Sequence, residues 1–241
     1  MATDRLWMAS VEACYVREFD ATVTSVDGDR IELDRTAFYP MGGGQPWDLG
    51  RLEGPTGGVN IASVRGREEV QHEVEHDHGL EVGDAVRGHI DWDRRHAHMR
   101  MHTAQHLISG LAYEMFGGAR TVGNQIGADR SRIDLNPIRF EGDMVERLVE
   151  SANARIDDDL PVRCDVLGRS EINAIMPPDR TAMNLVPTSV DQLRVIRIGN
   201  DVDLCPCAGT HVRSLAEIGT VEPLGTSSKG KGTQRFRYEL S

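Results

Sequence analysis

Several common features are missing from this sequence of 241 residues. No apolar run reaches the roughly 18 residues that a membrane-spanning helix needs, and the N-terminus lacks the basic and apolar regions of a secretory signal. We therefore expect a cytoplasmic protein without a membrane anchor. The chain has only four cysteines, which do not make a disulfide framework, and in a reducing compartment thiols near histidines more often bind metal.

Basic residues are also in deficit. The 27 lysines and arginines oppose 38 acidic residues, giving a net charge of −11. Because phosphate binding needs positive charge, this balance alone argues against a nucleic-acid partner. The stretch 229–237 differs, since no acidic residue interrupts it before Glu239. An acidic protein with a local basic strip can hold a polyanion, while a surface adapted for solubility would explain the acidic residues equally well.

Two short segments contain residue types that bind transition metals. Residues 102–106 are His-Thr-Ala-Gln-His, and on a helix the two histidines lie on the same face. Residues 207–211, Cys-Ala-Gly-Thr-His, add a thiol and a third imidazole. Zinc accepts these ligands in a tetrahedral arrangement. We predict one zinc site, formed by His102, His106, Cys207 and His211.

Alternatives to this site remain open. Either segment alone would be weak evidence, because paired histidines on a helix can also be solvated or packed in a core. A metalloprotease motif is excluded, since Thr103 stands where that motif has its Glu general base. Cys205 offers a second thiol two positions before Cys207 and is a possible alternate ligand.

The distribution of strands and helices predicts an α+β fold. Short strands expected at 21–26, 30–33, 59–64, 70–74 and 85–91 alternate with turn residues, as in a small antiparallel barrel. A helix begins at Trp92 and is expected to end at Gly117-Gly118. Beyond it we expect a helix at 142–158 and strands at 131–135, 161–167, 193–198, 219–224 and 234–240. The prediction is a β-rich domain at 1–92 and a mixed, zinc-containing domain at 93–241.

A glycine-rich segment lies within the predicted barrel. Residues 42–48 are Gly-Gly-Gly-Gln-Pro-Trp-Asp, and three successive glycines allow a sharp turn or a close approach to a ligand. The segment is not a P-loop, because no Lys-Ser/Thr pair follows. A plain connecting loop is the alternative.

Taken in order, these segments resemble a known family. They run from Leu-Asp-Arg-Thr-Ala-Phe-Tyr at 33–39 into the glycine-rich segment, then through 82–84 and 102–106 to 207–212. The chain resembles the editing region of alanyl-tRNA synthetases and, more closely, the medium-length form of the free-standing AlaX alanyl-tRNA editing proteins. Ala208 departs from the usual Cys-Gly-Gly-Thr-His pattern of the cysteine loop.

The resemblance implies a hydrolase with a zinc cofactor. Its substrate would be tRNA(Ala) mischarged chiefly with serine, and in second place with glycine, and the hydrolysis would need no ATP. Such editing is needed because an alanine pocket discriminates against glycine by only about 1–3 kcal/mol and excludes an added hydroxyl poorly. The sequence shows no aminoacylation domain, so the tRNA would be charged by another enzyme.

The resemblance also places candidate contacts. Serine selection would use polar residues in the segment after the histidine helix, for which simple loop polarity is the alternative: Thr121, Asn124 and Gln125. The glycine-rich residues would lie near the pocket or the tRNA end: Gly42, Gly43, Gly44 and Gln45. Phosphate contacts are expected from the C-terminal stretch: Lys229, Lys231, Arg235 and Arg237.

Four protein ligands would close a tetrahedral zinc site, whereas catalytic zinc keeps one position open. We expect either expansion to five ligands when substrate arrives, or a metal that positions the substrate amine while a separate water attacks. Three other functions stay open: a non-catalytic zinc module that binds tRNA, a hydrolase of small esters or amides, and editing of another aminoacyl-tRNA, since threonyl-tRNA synthetases have a related arrangement. The oligomeric state cannot be inferred.

Overall fold

The computed structural model describes residues 2–75, 78–177, 180, 187–200 and 202–241. It divides into two compact units, Met1–Ala97 and His98–Ser241. Helices and strands are both abundant, which confirms the predicted α+β class, while the predicted domain limits stay a prediction. Among the described residues, no helix is long and apolar enough to cross a membrane.

The first unit contains a closed barrel of six strands joined by antiparallel pairs, in the order β2-β3-β7-β6-β5-β8. A separate parallel pair joins β1 to β4. The strands are β1 (Asp4–Arg5), β2 (Glu18–Asp27), β3 (Arg30–Leu33), β4 (Arg35–Thr36), β5 (Gly50–Gly54), β6 (Gly57–Arg65), β7 (Gln71–Val74) and β8 (Ala85–Ile90). This agrees with the small antiparallel barrel expected from turn spacing. Strand β5 and the two short strands β1 and β4 were not predicted.

Alternation along the strands explains the barrel. In β2, Phe19, Ala21 and Val23 are buried and the intervening residues are exposed, because successive side chains point to opposite faces of a strand. The strands expected at 21–26 and 30–33 form a hairpin, with Asp27 opposite Arg30 across the turn. The apolar residues that fill the barrel therefore recur at every second position along the strand.

Helix α1 (Trp92–Met115) begins where predicted, and Gly117 and Gly118 follow it with φ of 61° and 83°. The apolar residues that follow His106 at helical spacing, Leu107, Leu111 and Met115, predict one apolar stripe along this helix. Instead, residues 101–108 are buried on every side of the helix, including the polar Thr103 and Gln105. The histidines therefore sit on an element that is enclosed all round.

In the second unit, the described residues form two sheets and, besides α1, two further α-helices. One sheet has the order β14-β15-β10-β9, and the other has the order β11-β12-β13. Helix α2 is amphipathic, burying Leu148, Ala152 and Ile156. The elements are β9 (Arg120–Gln125), β10 (Arg130–Asn136), α2 (Met144–Asp157), β11 (Val162–Gly168), α3 (Arg169–Ile175), β12 (Gln192–Ile198), β13 (Asp203–Pro206), β14 (Val221–Gly230) and β15 (Thr233–Leu240). Strands β9 and β13 and helix α3 were not predicted, and residues 203–206, expected to begin the loop that carries Cys207, form β13 instead.

Candidate metal centre

Four donor side chains converge in the second unit. The ligand atoms of His102, His106, Cys207 and His211 all lie within 4.8 Å of one another. The Cys207 Sγ atom is 3.4 Å from Nε2 of His211 and 3.6 Å from Nε2 of His102. These are the four residues that the two sequence segments predicted as neighbours, brought together from a helix and a distant loop.

The loop that presents Cys207 is held by its own backbone and by Arg194. The Gly209 N–H donates to the Cys207 sulfur at 3.3 Å. Arg194, a buried residue of β12, donates from Nη1 to the carbonyls of Cys207 and Gly209 at 2.6 and 3.1 Å. Sequence analysis missed Arg194, because nothing in its local sequence connects it to a loop 13 positions away.

Hydrogen bonds fix two of the imidazoles. The Nδ1 atom of His106 lies 2.8 Å from Oδ2 of buried Asp203. The Thr103 hydroxyl donates to the Met99 carbonyl at 2.9 Å, so it accepts from Nδ1 of His211 at 3.2 Å. Both rings therefore carry their proton on Nδ1 and turn Nε2 toward the cluster. A ligating histidine in a metal site is usually held in this way.

Asp203 was not identified from the sequence, although an acidic residue in an otherwise apolar strand was a usable signal. Its position depends on Gly110, one helical turn beyond His106. A Cβ at Gly110 would overlap the carbonyl oxygen of Val202. The bare glycine thus lets the chain before Asp203 approach helix α1 closely enough for the carboxylate to reach His106.

Electrostatics favour the metal-binding form of the thiol. Burial opposes ionisation of Cys207, but the neighbouring His102 and His211 outweigh it and hold its pKa well below the ordinary thiol value. Burial also lowers the pKa of His211 well below that of a free imidazole, which favours its neutral form. For His106, burial is outweighed by the hydrogen bond to Asp203 and by Cys207, which raise its pKa to about 10, so a metal ion that binds Nε2 of this ring displaces a proton from it.

The donor set fits zinc. Three imidazoles and one thiolate are borderline-to-soft ligands of the kind that tetrahedral zinc accepts. Cys205 does not belong to this group among the described residues. Burial and the nearby Asp203 carboxylate raise the pKa of Cys205 well above its usual value, so its sulfur stays a thiol.

The three residues predicted for serine selection lie on strand β9 rather than in a loop, and they separate onto two faces. Thr121 bonds to Ser109 of helix α1 at 2.7 Å, and the Asn124 amide donates to Gln105 at 3.4 Å. Gln105 is next to His106 in the sequence. Gln125 points to the other face, where its amide oxygen accepts from Arg132 at 3.1 Å.

The glycine-rich segment forms a tight turn within the first unit. Gly42 and Gln45 exchange backbone hydrogen bonds of 3.1 and 2.9 Å across Gly43 and Gly44. Those two glycines have φ of 57° and 85°, as the central positions of a type I′ turn require. The Gln45 side chain is fully buried. The proximity of Gly42, Gly43, Gly44 and Gln45 to the pocket or the tRNA end stays a prediction.

The predicted phosphate-binding residues lie at the end of the chain. Lys229 and Arg237 are exposed on β14 and β15, and Lys231 occupies the turn between these strands with φ of 50°. Arg235 is held by Asp134, with Nε donating to Oδ1 at 2.7 Å and Nη2 to Oδ2 at 2.9 Å.

Two family profiles match the chain and define its class. Residues 6–94 match "tRNA synthetases class II (A)", and residues 193–237 match "Threonyl and Alanyl tRNA synthetase second additional domain". The second match includes the cysteine loop of the metal centre. The chain therefore contains domains related to those of aminoacyl-tRNA synthetases.

Similar whole proteins are more specific. The chain is 37% identical over 234 residues to the alanyl-tRNA editing protein AlaX-M of Methanosarcina barkeri, covering 94% of this chain and 96% of that protein. Against the AlaX-M protein of Saccharolobus solfataricus the identity is 34%, covering 94% and 95%. The alanine–tRNA ligase of Halorubrum lacusprofundi is 38% identical, but the match covers only 24% of it. The chain belongs to the AlaX-M family of alanyl-tRNA editing proteins.

Proposed function

We propose that this protein is a trans-editing hydrolase that removes serine, and secondarily glycine, from mischarged tRNA(Ala) in the cytoplasm. The observation that supports this most directly is the position of Asn124 and Thr121. Both contact helix α1 through polar side chains, Asn124 at the residue beside His106. Polar groups that can bond a serine hydroxyl therefore contact the helix that carries His102 and His106.

We propose zinc as the cofactor, held by His102, His106, Cys207 and His211. When bound, zinc would supply a Lewis acid that polarises the ester carbonyl or orients the substrate. Asp203 keeps His106 in the tautomer that leaves Nε2 available, and Thr103 does the same for His211. Arg194 fixes the loop so that the Cys207 sulfur faces the three rings.

Serine would be selected by polar groups that bond its side-chain hydroxyl, which alanine lacks. The amide of Asn124 and the hydroxyl of Thr121 would exchange a hydrogen bond with the serine side chain. Their present bonds to Gln105 and Ser109 would then be shared or replaced. Alanine has no hydroxyl to offer, so it would lack that hydrogen bond, which is worth about 0.5–1.5 kcal/mol.

One observation favours a second candidate function. The four donors close a tetrahedral set, which is the usual form of a structural rather than a catalytic zinc site. On that basis the protein would be a non-catalytic, zinc-containing module that binds tRNA. Editing of another aminoacyl-tRNA is a further variant, because the second family profile spans both threonyl and alanyl enzymes.

The test is deacylation of seryl-, glycyl- and alanyl-tRNA(Ala), before and after metal removal by a chelator and again after zinc is restored. We expect rapid loss of serine, slower loss of glycine and sparing of alanine, with activity abolished by the chelator and recovered with zinc. Binding of zinc and tRNA without cleavage of any ester would support the non-catalytic module instead.

A further inference from the structure

The sheet β14-β15-β10-β9 has two chemically different faces. Side chains alternate between faces along a strand, and directly opposed residues share a face. One face is buried and apolar, formed largely by Ile133, Leu135, Phe236 and Tyr238. The residues that alternate with these along each strand point to the other face, which we call the outer face. Its arginines are Arg120, Arg130, Arg132, Arg235 and Arg237.

The charge of the outer face is opposite to that of the chain. Lys229 joins the five arginines: it lies two positions beyond Ser227, which is opposite Arg235, and its charge lowers the pKa of Asp134. The acidic residues on the same face are Asp134, Glu222 and Glu239. Positive charges thus exceed negative ones by three here, in a protein whose net charge is −11. A local excess of this kind, on an acidic protein, selects for a polyanion.

Asp134 organises the centre of the face. It accepts two hydrogen bonds from Arg235 and one from Nη1 of Arg132 at 3.0 Å. Gln125 holds the Nε of Arg132 on its other side. The two guanidinium groups are thereby fixed next to each other, and each uses two of its five N–H groups in these bonds. Fixed guanidinium groups suit phosphate oxygens, which they bind through paired N–H donors.

The register of β9 connects this face to the candidate metal centre. Gln125 lies opposite Arg132 on the outer face, whereas the preceding residue Asn124 lies opposite Ile133 and reaches helix α1. Strand β9 is at the edge of the sheet. A strand that is next to the His106 helix on one face therefore holds Arg132 in place on the other.

We propose that the outer face binds the sugar-phosphate backbone of the helical stem of the tRNA being edited. This proposal rests on the proposed function, which supplies tRNA as substrate. None of the residues assigned to the face is aromatic, so binding would depend on backbone charge and not on base stacking. The consequence is an affinity that depends on salt and hardly on stem sequence.

The experiment compares two doubly substituted proteins that lose the same charge. The test variant is Arg132→Gln with Arg237→Gln. The matched control is Arg147→Gln with Arg155→Gln on helix α2, where both arginines are exposed. Binding of uncharged tRNA(Ala) is measured by fluorescence anisotropy across a series of salt concentrations, with circular dichroism to verify folding.

We expect the test variant to bind about tenfold more weakly at moderate salt, and the slope of log affinity against log salt to fall by about 2. The control should stay within about twofold of the parent. Equal affinities and slopes for test and control would overturn the proposal. Uncharged tRNA keeps this result separate from catalysis: a parent protein that binds tRNA but cleaves no ester would refute the proposed function alone.

Discussion

Arg95 and Asp48 form an ion pair in which neither side chain has any solvent exposure. The Arg95 Nε atom donates to both carboxylate oxygens at 3.0 Å, and its terminal nitrogens donate to the carbonyls of Cys14 and Ala37. Asp48 also accepts from the backbone N–H of Tyr39 at 2.6 Å. The end of the glycine-rich segment is thus fixed to the first turn of helix α1.

Replacing Arg95 with Met should destabilise the first unit by about 3–5 kcal/mol, because it leaves a buried carboxylate without its counter-charge. Urea unfolding measures this loss. The matched control is Glu18→Gln, which breaks the exposed ion pair with Arg87 and should change stability far less, because solvent screens an exposed pair. A similar effect of both substitutions would contradict the role assigned to Arg95.

His72 should make the barrel sensitive to acid. It is buried between Thr36 and the Ile31 carbonyl, and burial lowers its pKa from 6.5 to about 4. The unfolded chain binds the proton more readily, so stability is complete above pH 6.5 and falls as the pH drops toward 4. The loss amounts to about 3 kcal/mol, since one pKa unit corresponds to about 1.4 kcal/mol.

Urea unfolding of the parent and of His72→Gln between pH 7.5 and 4 tests this sensitivity. Glutamine keeps polar atoms at the site but does not titrate. The parent should lose more stability than the variant over this range, and parallel curves would show that another group is responsible.

Asp203→Asn should weaken zinc binding by about 10–100-fold, the usual effect of losing a carboxylate that orients a ligating histidine. Competition with a coloured chelator measures the affinity without reference to activity. Asp165→Asn provides the control, since Asp165 is partly exposed and pairs with Arg197 on the neighbouring strand. Unchanged affinity in Asp203→Asn would mean that His106 is oriented by other means.

The two thiols near the metal centre should behave differently. Cys207→Ser should lose most of its bound metal, whereas Cys205→Ser should retain it, because only the Cys207 sulfur lies among the imidazole nitrogens of the described site. Metal content measures how much metal each variant retains, and the thiolate-to-metal absorption of a cobalt-loaded sample shows whether a cysteine sulfur is a ligand. Retention of that absorption in Cys207→Ser would identify Cys205 as the ligand.

Asn124→Ala should reduce the preference for seryl- over alanyl-tRNA(Ala) by about 2–10-fold, the value of one hydrogen bond to the substrate hydroxyl. Gln125→Ala should leave that ratio unchanged, because Gln125 points to the opposite face of the sheet. The ratio of kcat/KM for the two esters is the measurement. A larger change in Gln125→Ala than in Asn124→Ala would reverse the assignment.

What the sequence predicted depends on how far the responsible interactions extend along the chain. The histidine pair follows from helix geometry alone, and the barrel strands follow from alternation, so both were found. Arg194 acts on a loop 13 positions away and could not be found locally. Asp203 bonds to His106 on a helix 97 positions before it, so only its acidic side chain among apolar neighbours could have indicated a role. Strand β9 contains Gly123 and Asn124, which have poor strand propensity, and a register shift in its pairing with β10 makes its side-chain directions unpredictable from spacing.

Gly110 continues the line of His102 and His106 one turn further along helix α1. Because Gly110 has no side chain, the Val202 carbonyl can lie against the helix, and this places the next residue, Asp203, beside His106. The recognisable pattern on the helix is therefore His-x-x-x-His-x-x-x-Gly, and its last position specifies the carboxylate that supports the second histidine. In a search of uncharacterised proteins, a helix with both histidines and a bulky residue at this position would be expected to orient its metal ligand by a different arrangement.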